Sequence, residues 1–333
     1  MKKDCFLSLF DDIECGQYPE KYNVISLTAP IASPLNYTGG KFKLLPQILP
    51  LFPKQVETFV DLFCGGCNVG CNAAANRVVF NDNNEILIGL LGWFEQTDSE
   101  SLFDSIESVI QKYELSNSMK YGYEYYNANG SDGLANANRE GFQKLRDEFN
   151  GLDIRDSYYY LLLYVLIIFS FNNQIRFNRN GKFNLPVGKR DFNSKMRNKL
   201  WQFINRIQSI DCQFQCKGFN EIDVDKLSPL DFVYADPPYL ITCATYNEQN
   251  GWNEDNERSL LNFLDKLHER NIRFALSNVL KSKGKVNTLL NDWINKRKDR
   301  YFADYLNFNY ANSNYHTKDK SDSAEEVLIR NYR

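Results

Sequence analysis

Short apolar runs closed by an acid, a glycine or a proline recur towards both ends of the chain, and they predict the strands of a sheet. Val56 to Phe63 is one such run, followed by a glycine loop and a helix from about Asn68 to Asn76. "RVVFND" (77–82) is a second, ending in Asp82, and "NEILIGLLGWF" (84–94) then places its apolar residues at helical spacing. From 93 to 210 the chain reads as helical. Polar "NANGSDGLANAN" (127–138) interrupts it as a loop, and "GKFNLPVG" (181–188) as a turn or hairpin. The densest apolar run, "YYYLLLYVLIIF" (158–169), is too short to span a bilayer and fits a core helix. Strand-and-helix alternation then returns, with strands at 212–217, "FVYA" (232–235), "IRFALSN" (272–278) and "EEVLIRNY" (325–332), and a helix at 257–270. Alternation broken once by a helical stretch predicts an α/β sheet carrying an inserted, mainly helical domain. The expected division is 34–92 and 211–333 for the sheet domain and 93–210 for the insert, with 1–33 as an extension.

At 333 residues, 43% hydrophobic and 24% charged, the chain has the size of one large globular domain or of a domain with a sizeable insertion. Its first residues are charged and polar, so no secretory signal is expected and the cytoplasm is the expected location. The eight cysteines are then expected to be mostly free thiols. The net charge of −3 does not mark a nucleic-acid binder, but it conceals a local excess. Between Asn173 and Leu200 stand Arg176, Arg179, Lys182, Lys189, Arg190, Lys195, Arg197 and Lys199 against a single acid, Asp191. A second basic stretch covers 281–300. A charge run is more often a solvated face. In the first stretch, however, asparagines and phenylalanines interleave with the cations. Arg and Asn read base edges while Lys and Arg hold phosphates, which points to DNA.

Two stretches carry chemistry. In "FVDLFCGGCNVG" (59–70) a strand runs into Asp61, and Gly65, Gly66 and Gly70 follow, letting the backbone approach a ligand closely. Asp82, at the end of the next strand, is placed to hold ribose hydroxyls as in dinucleotide sites. The loop lacks the full dinucleotide spacing, and Asp61 would repel a pyrophosphate. An adenosine cofactor with a cationic or neutral centre, such as S-adenosylmethionine, fits better. In "DFVYADPPYL" (231–240) two prolines end a buried strand and hold Asp236 and Tyr239 where it leaves the sheet. Cys64, Cys67 and Cys71 have metal-like spacing but lack a fourth ligand nearby, and are read as small apolar residues, with no metal expected. The only histidines are His268 and His316, which argues against a histidine triad, and His268 is expected to be exposed.

Four blocks in order make the chain resemble the α-group, Dam-like N6-adenine DNA methyltransferases over roughly residues 34–333. They are "NYTGGK" (36–41), "DLFCGG" (61–66), "NNQIRFNRNGKFNLPVGK" (172–189) and "DPPY" (236–239). The terminal "EEVLIRNY" resembles the family's closing strand. The resemblance implies a Rossmann-like methyltransferase sheet with an inserted DNA-recognition domain carrying a β-hairpin. It implies S-adenosylmethionine as cofactor, held by Tyr37, Gly39, Gly40, Lys41, Asp61, Phe63, Gly65, Asp82 and Asp236. Lys41 would order the methionine carboxylate, Asp61 the amine and Asp82 the ribose. Asp236, Pro237, Pro238 and Tyr239 would be catalytic. Asp236 and the Pro237 carbonyl would hold the adenine amine, and Tyr239 would stack on the flipped base. Phe171, Asn172, Gln174, Arg176, Asn178, Pro186, Lys189 and Arg190 would contact double-stranded DNA. GATC-methylating members carry glycine and leucine before the arginine, where this chain has Asn173 and Gln174. GATC and a longer or asymmetric GAT-containing site are both consistent with that, as is a cognate restriction endonuclease. Two other readings stay open at this point: a non-catalytic nucleic-acid-binding module of the same fold, and methylation of RNA or of a protein amide.

Overall fold

The computed structural model describes residues 29–128, 131–242, 251–307 and 324–333, so most of the 1–33 extension lies outside the described residues. In chain order the elements are α1 (Leu45–Ile48), β1 (Thr58–Asp61), β2 (Arg77–Asp82), α2 (Glu85–Gln96), α3 (Ser99–Lys112), α4 (Ser118–Tyr125), α5 (Ala135–Phe149), α6 (Ser157–Phe169) and α7 (Ser194–Ser209). There follow β3 (Asp211–Cys216), β4 (Phe232–Ala235), α8 (Glu254–Glu269), β5 (Arg273–Ser282), β6 (Lys285–Val286), α9 (Thr288–Asn295), β7 (Phe302–Leu306) and β8 (Glu325–Arg330). The helices begin where short polar side chains can satisfy their first N–H groups. Asn84, Asp98, Asp156, Asn193 and Asn253 each accept from the backbone N–H three residues on.

The sheet order is β3-β2-β1-β4-β5-β8-β7, with β6 also on β5. The strands from β3 to β5 run parallel, and β8 is antiparallel to both β5 and β7. This is the Rossmann-like methyltransferase architecture expected from the sequence. The chain goes from β1 outward to β2 and returns, after the insert, to β4 on the other side of β1. That reversal is the switch point at which open α/β sheets bind ligands. β4 reads as a continuous apolar run because both its faces are covered. Phe232 and Tyr234 join one core with Phe59 and Phe80, while Val233 and Ala235 join another with Leu260, Leu264 and Leu290.

The first of these cores continues from the sheet through α2 into α6 and α7. α6 packs against α2, α3 and α5, and Leu162 to Phe169 along it are all buried. Among the described residues no helix is long and apolar enough to cross a membrane.

Three local expectations change. The helix at 68–76 is reduced to a single 3-10 turn, Gly70–Asn72. Gly65 and Cys67 take φ of 47° and 62°, the Asp61 side chain accepts from Gly70 N, and the Asn72 side chain takes the Asn68 carbonyl in place of a helical N–H. The polar loop at 127–138 ends early, because α5 begins at Ala135 and Asn138 is buried as the acceptor for Ser116 N. His268 is half-buried, its ring edge-on to Tyr301 at 5.3 Å.

Candidate active site

The ends of β1, β2 and β4 bring three acids to one edge of the sheet. Asp61 is 1% exposed, and its Oδ2 accepts from Gly70 N at 2.9 Å. Burial pushes its carboxyl up to about 7 against that bond, and the charges of Asp236 and Asp82 add to the rise. Asp82 accepts from Gly65 N and Asn84 N, and burial raises its carboxyl too. The loop between them is shaped by the N-terminal block. Tyr37 lies so close to Gly65 that a Cβ there would sit 2.8 Å from its ring. Ser33 N donates to Asn68, and Ile31 and Asn72 bond each other in both directions. Gly39 takes φ of 81°. Phe63, just past Asp61, packs against Phe219 at 5.8 Å and Trp252 at 5.7 Å.

Asp236 follows β4 directly, with Pro237 buried behind it. Lys41 Nζ lies 2.8 Å from Asp236 Oδ1, 2.9 Å from the Gly39 carbonyl and 3.8 Å from Glu326 Oε1. The Tyr239 hydroxyl is 3.1 Å from both Asp236 Oδ1 and Glu326 Oε1, and Lys41 covers one face of its ring at 4.9 Å. Among the described residues, the Lys41 and Tyr239 contacts of Asp236 both go to Oδ1. Burial raises the Asp236 carboxyl from its usual range, against the pull of Lys41. Burial likewise raises the Tyr239 phenol, and the Asp236 and Glu326 charges add to it.

The hairpin is irregular but continuous. Antiparallel bridges join Ser170 to Val187 and Phe177 to Phe183. Phe171 N bonds Pro186 O, Asn184 N bonds Arg176 O, and Gly188 N bonds Phe169 O. Arg176 is exposed, and its guanidinium donates to the Asn184 side chain at 2.9 Å and carbonyl at 3.1 Å. Asn178 forms the turn by accepting from Asn180 N and Lys182 N, and Gln174 is half-buried. At the hairpin's base lies a cleft of about 490 Å³ lined by Asn36, Phe171, Asn172, Lys189 and Arg190. Asn36 donates across it to the Asn172 carbonyl at 3.0 Å, so the "NYTGGK" block touches the hairpin as well as the glycine loop.

The structure therefore brings Lys41, Asp236 and Tyr239 into one cluster and Tyr37, Asp61, Gly65 and Asp82 into an adjoining one. Sequence reading missed Glu326, Phe219, Trp252 and Asn36. An acid inside the apolar strand "EEVLIR", 2% exposed, is a signal that could have found Glu326. Phe219 and Trp252 reach Phe63 only through the fold and left no local pattern. Cys64, Cys67 and Cys71 are buried free thiols that burial pushes up, Cys64 to about 11.

Residues 37–314 match the family described as D12 class N6 adenine-specific DNA methyltransferase. The chain is 42% identical over 312 residues to the modification methylase StsI of Streptococcus sanguinis, covering 91% of this chain and 43% of that protein. It is 40% identical over 308 residues to the type II methyltransferase M.FokI of Planomicrobium okeanokoites, with the same 91% and 43% coverage. To the DNA adenine methylase of Escherichia coli (strain K12) it is 26% identical over 248 residues, covering 73% of this chain and 79% of that enzyme. The chain thus spans less than half the length of the first two relatives.

Proposed function

The chain belongs to the D12 class of N6 adenine-specific DNA methyltransferases, and from that membership we propose that it methylates the exocyclic amine of an adenine flipped out of a short duplex site. The observation that carries this reading is the cluster of Lys41, Asp236, Tyr239 and Glu326 at the switch point of the sheet. Beside it lie the glycine loop and the cleft under the basic hairpin. The division into a catalytic part (34–92 and 211–333) and a recognition part (93–210) belongs to the same proposal.

The glycine loop suits S-adenosylmethionine. Two buried acids flank it, which fits a cationic amine and a ribose and opposes a pyrophosphate. Asp61 would hold the amine and Asp82 the ribose, with Tyr37, Gly39, Gly40 and Gly65 shaping the cradle. Phe63, Phe219 and Trp252 offer an aromatic wall for adenine. When bound, the cofactor supplies a methyl group on a sulfonium.

Adenine's amine is a weak nucleophile because its lone pair is conjugated into the ring. Asp236 Oδ2 and the Pro237 carbonyl would accept its two N–H groups and localise that pair toward the methyl group. A carboxyl whose pKa burial has raised is suited to take up the proton the nitrogen loses. Lys41 and Glu326 would fix Asp236 and Tyr239. With Lys41 on one face of the Tyr239 ring, the base would stack on the other, for roughly 1–3 kcal/mol. The protein's work is then mainly positioning.

Phe171, Asn172, Gln174, Arg176, Asn178, Pro186, Lys189 and Arg190 form the proposed DNA contact, and the site is proposed to contain GAT, as GATC or within a longer asymmetric sequence. The names of the relatives, modification methylase and type II methyltransferase, support a restriction–modification setting with a cognate endonuclease. Incubating the chain with methyl-labelled S-adenosylmethionine and duplex DNA, RNA or protein tests the reading. Label in N6-methyladenine of duplex DNA is expected. Label confined to RNA or protein, or no transfer at all, would overturn it.

A further inference from the structure

We propose that the tyrosine-rich segment α4, two short helical turns broken at Gly122 (φ 76°), is a second DNA-contact surface, which grips the sugar–phosphate backbone of the duplex flanking the methylated site. The inference rests on the DNA-methyltransferase reading above and extends it to a part of the insert that no motif covers.

"SMKYGYEYY" (118–126) displays its aromatic residues instead of burying them. Tyr121, Tyr123 and Tyr125 are 48%, 49% and 67% exposed, and Met119 is 56% exposed. The rings form a built platform. Tyr121 and Tyr125 stack at 4.9 Å, Tyr126 stands edge-on to both, and the Lys120 ammonium covers Tyr121 at 5.0 Å. An exposed aromatic cluster of this kind marks an interaction surface.

Its position selects the partner. The first turn of α4 is anchored to Asp191, which accepts from Ser118 N and Ser118 Oγ. Asp191 is the one acid in the basic stretch 173–200, and at 1% exposure its charge is spent on this anchor and not shown at the surface. The residues just before it, Lys189 and Arg190, are exposed and line the cleft with Phe171 and Asn172. Lys189 is also tied to the end of the α4–α5 connection, its carbonyl accepting from Leu134 N. The platform therefore continues a cationic edge at Lys189 and Arg190, while Arg197 of the same stretch is paired with Glu107. It joins the hairpin at its base, whereas the turn at Asn178–Gly181 is the tip. DNA held by the hairpin would meet α4 to the side of the bases being read. Tyrosine hydroxyls donate to phosphate oxygens and their rings cover sugars. α4 itself carries one cation, Lys120, and one anion, Glu124, so its contribution is short-ranged.

The test compares the full chain with a variant carrying Tyr121→Ala, Tyr123→Ala and Tyr125→Ala, and with the corresponding triple Tyr→Phe variant. Methyl transfer is measured on two duplexes with the same site, one ending close to it and one extended by a helical turn on each side. Wild type is expected to have a lower KM on the longer duplex. The alanine variant is expected to lose that advantage by roughly five- to tenfold, the scale of one or two exposed hydrogen bonds to charged oxygens. Its kcat and its KM on the short duplex are expected to stay unchanged, and so is the salt dependence, which phosphate-bound lysines set. The phenylalanine variant is expected to fall between. A variant that keeps the full length preference overturns the proposal. So does one that changes the sedimentation of the protein while leaving DNA binding intact, since the face would then belong to another protein chain. A wild type that methylates neither duplex refutes the underlying activity, and this proposal with it.

Discussion

Asp61 is buried and Asp236 half-buried, and each gives a pH dependence with a definite sign. Asp61 rises from 3.8 to about 7, so below that pH it is protonated and has no charge to offer a cationic amine. Cofactor affinity is expected to fall about tenfold per pH unit as the pH drops below about 7. Calorimetric titration between about pH 5 and 7 checks this, and Asp61→Asn is expected to bind weakly with the dependence flattened. In the cofactor-free chain the sign reverses: the raised carboxyl stabilises the fold at low pH, and that contribution is lost as pH rises through about 7. For Asp236, Asp236→Ala is expected to abolish methyl transfer while leaving much of the cofactor affinity. Glu326→Gln is more diagnostic. It keeps an acceptor for Tyr239 and removes a charge that raises the Asp236 carboxyl. The acid limb of the pH–rate profile is expected to move to lower pH, together with a lower kcat. A fall in rate at unchanged pH profile would reduce Glu326 to a packing role.

The hairpin and the glycine loop make their points as elements. Arg176 is held by Asn184 and bonds no acid among its described partners, so its planar fork is oriented without being neutralised. Arg176→Ala is expected to lose roughly 1–3 kcal/mol on the cognate site and to blunt preference at one base pair. Lys189→Ala is expected to weaken all DNA alike and flatten the salt dependence. Methylation rates on a panel of single-base site variants separate the two. In the loop, Gly65→Ala would need φ of 47° and place a Cβ 2.8 Å from the Tyr37 ring. A marked loss of cofactor affinity is the expected outcome, together with a melting temperature lowered by a few degrees, on the order of 1–3 kcal/mol of strain. These elements also mark how far the site was legible. "NYTGGK", "DPPY" and the hairpin announced themselves because prolines, glycines and closely spaced polar residues act over a few positions. The helix expected at 68–76 shrinks to one 3-10 turn because the Asn72 side chain takes the Asn68 carbonyl that a helix would give to the Asn72 N–H, which bonds Val69 O instead. Glu326 and the Phe219–Trp252 wall join the site through chain folding alone.

At the scale of the molecule, the sheet and its insert share one core. Its strands were legible because a strand covered on both faces is apolar throughout, as in "FVYA". β7 was not, with Asp304 and an exposed Tyr305 breaking the apolar pattern at the sheet edge. Leu163, fully buried in α6, is expected to cost roughly 2–5 kcal/mol when replaced by alanine. Because α6 belongs to both parts, the loss is expected in a single unfolding transition, with far- and near-ultraviolet signals coincident. Two separate transitions would show that the insert folds alone. The hairpin is tied into this shared core by Phe183 and Leu185, with Ile175 and Phe177 packed against it, while Asn172, Arg176, Arg179, Lys182 and Pro186 are exposed. Its ends are pinned where Gly188 N meets Phe169 O at 2.7 Å, and a Cβ on Gly188 would lie 2.3 Å from the Ser170 carbonyl. Exchanging the whole of 93–210 between chains would pull α6 out of a core built around it, whereas changing only the exposed hairpin positions Asn172, Arg176, Arg179, Lys182 and Pro186 would leave that core untouched. New target preferences are therefore expected to evolve by drift at these exposed positions, and a selection library for altered sites is best randomised there, with Phe169, Ser170, Phe183, Leu185 and Gly188 held fixed.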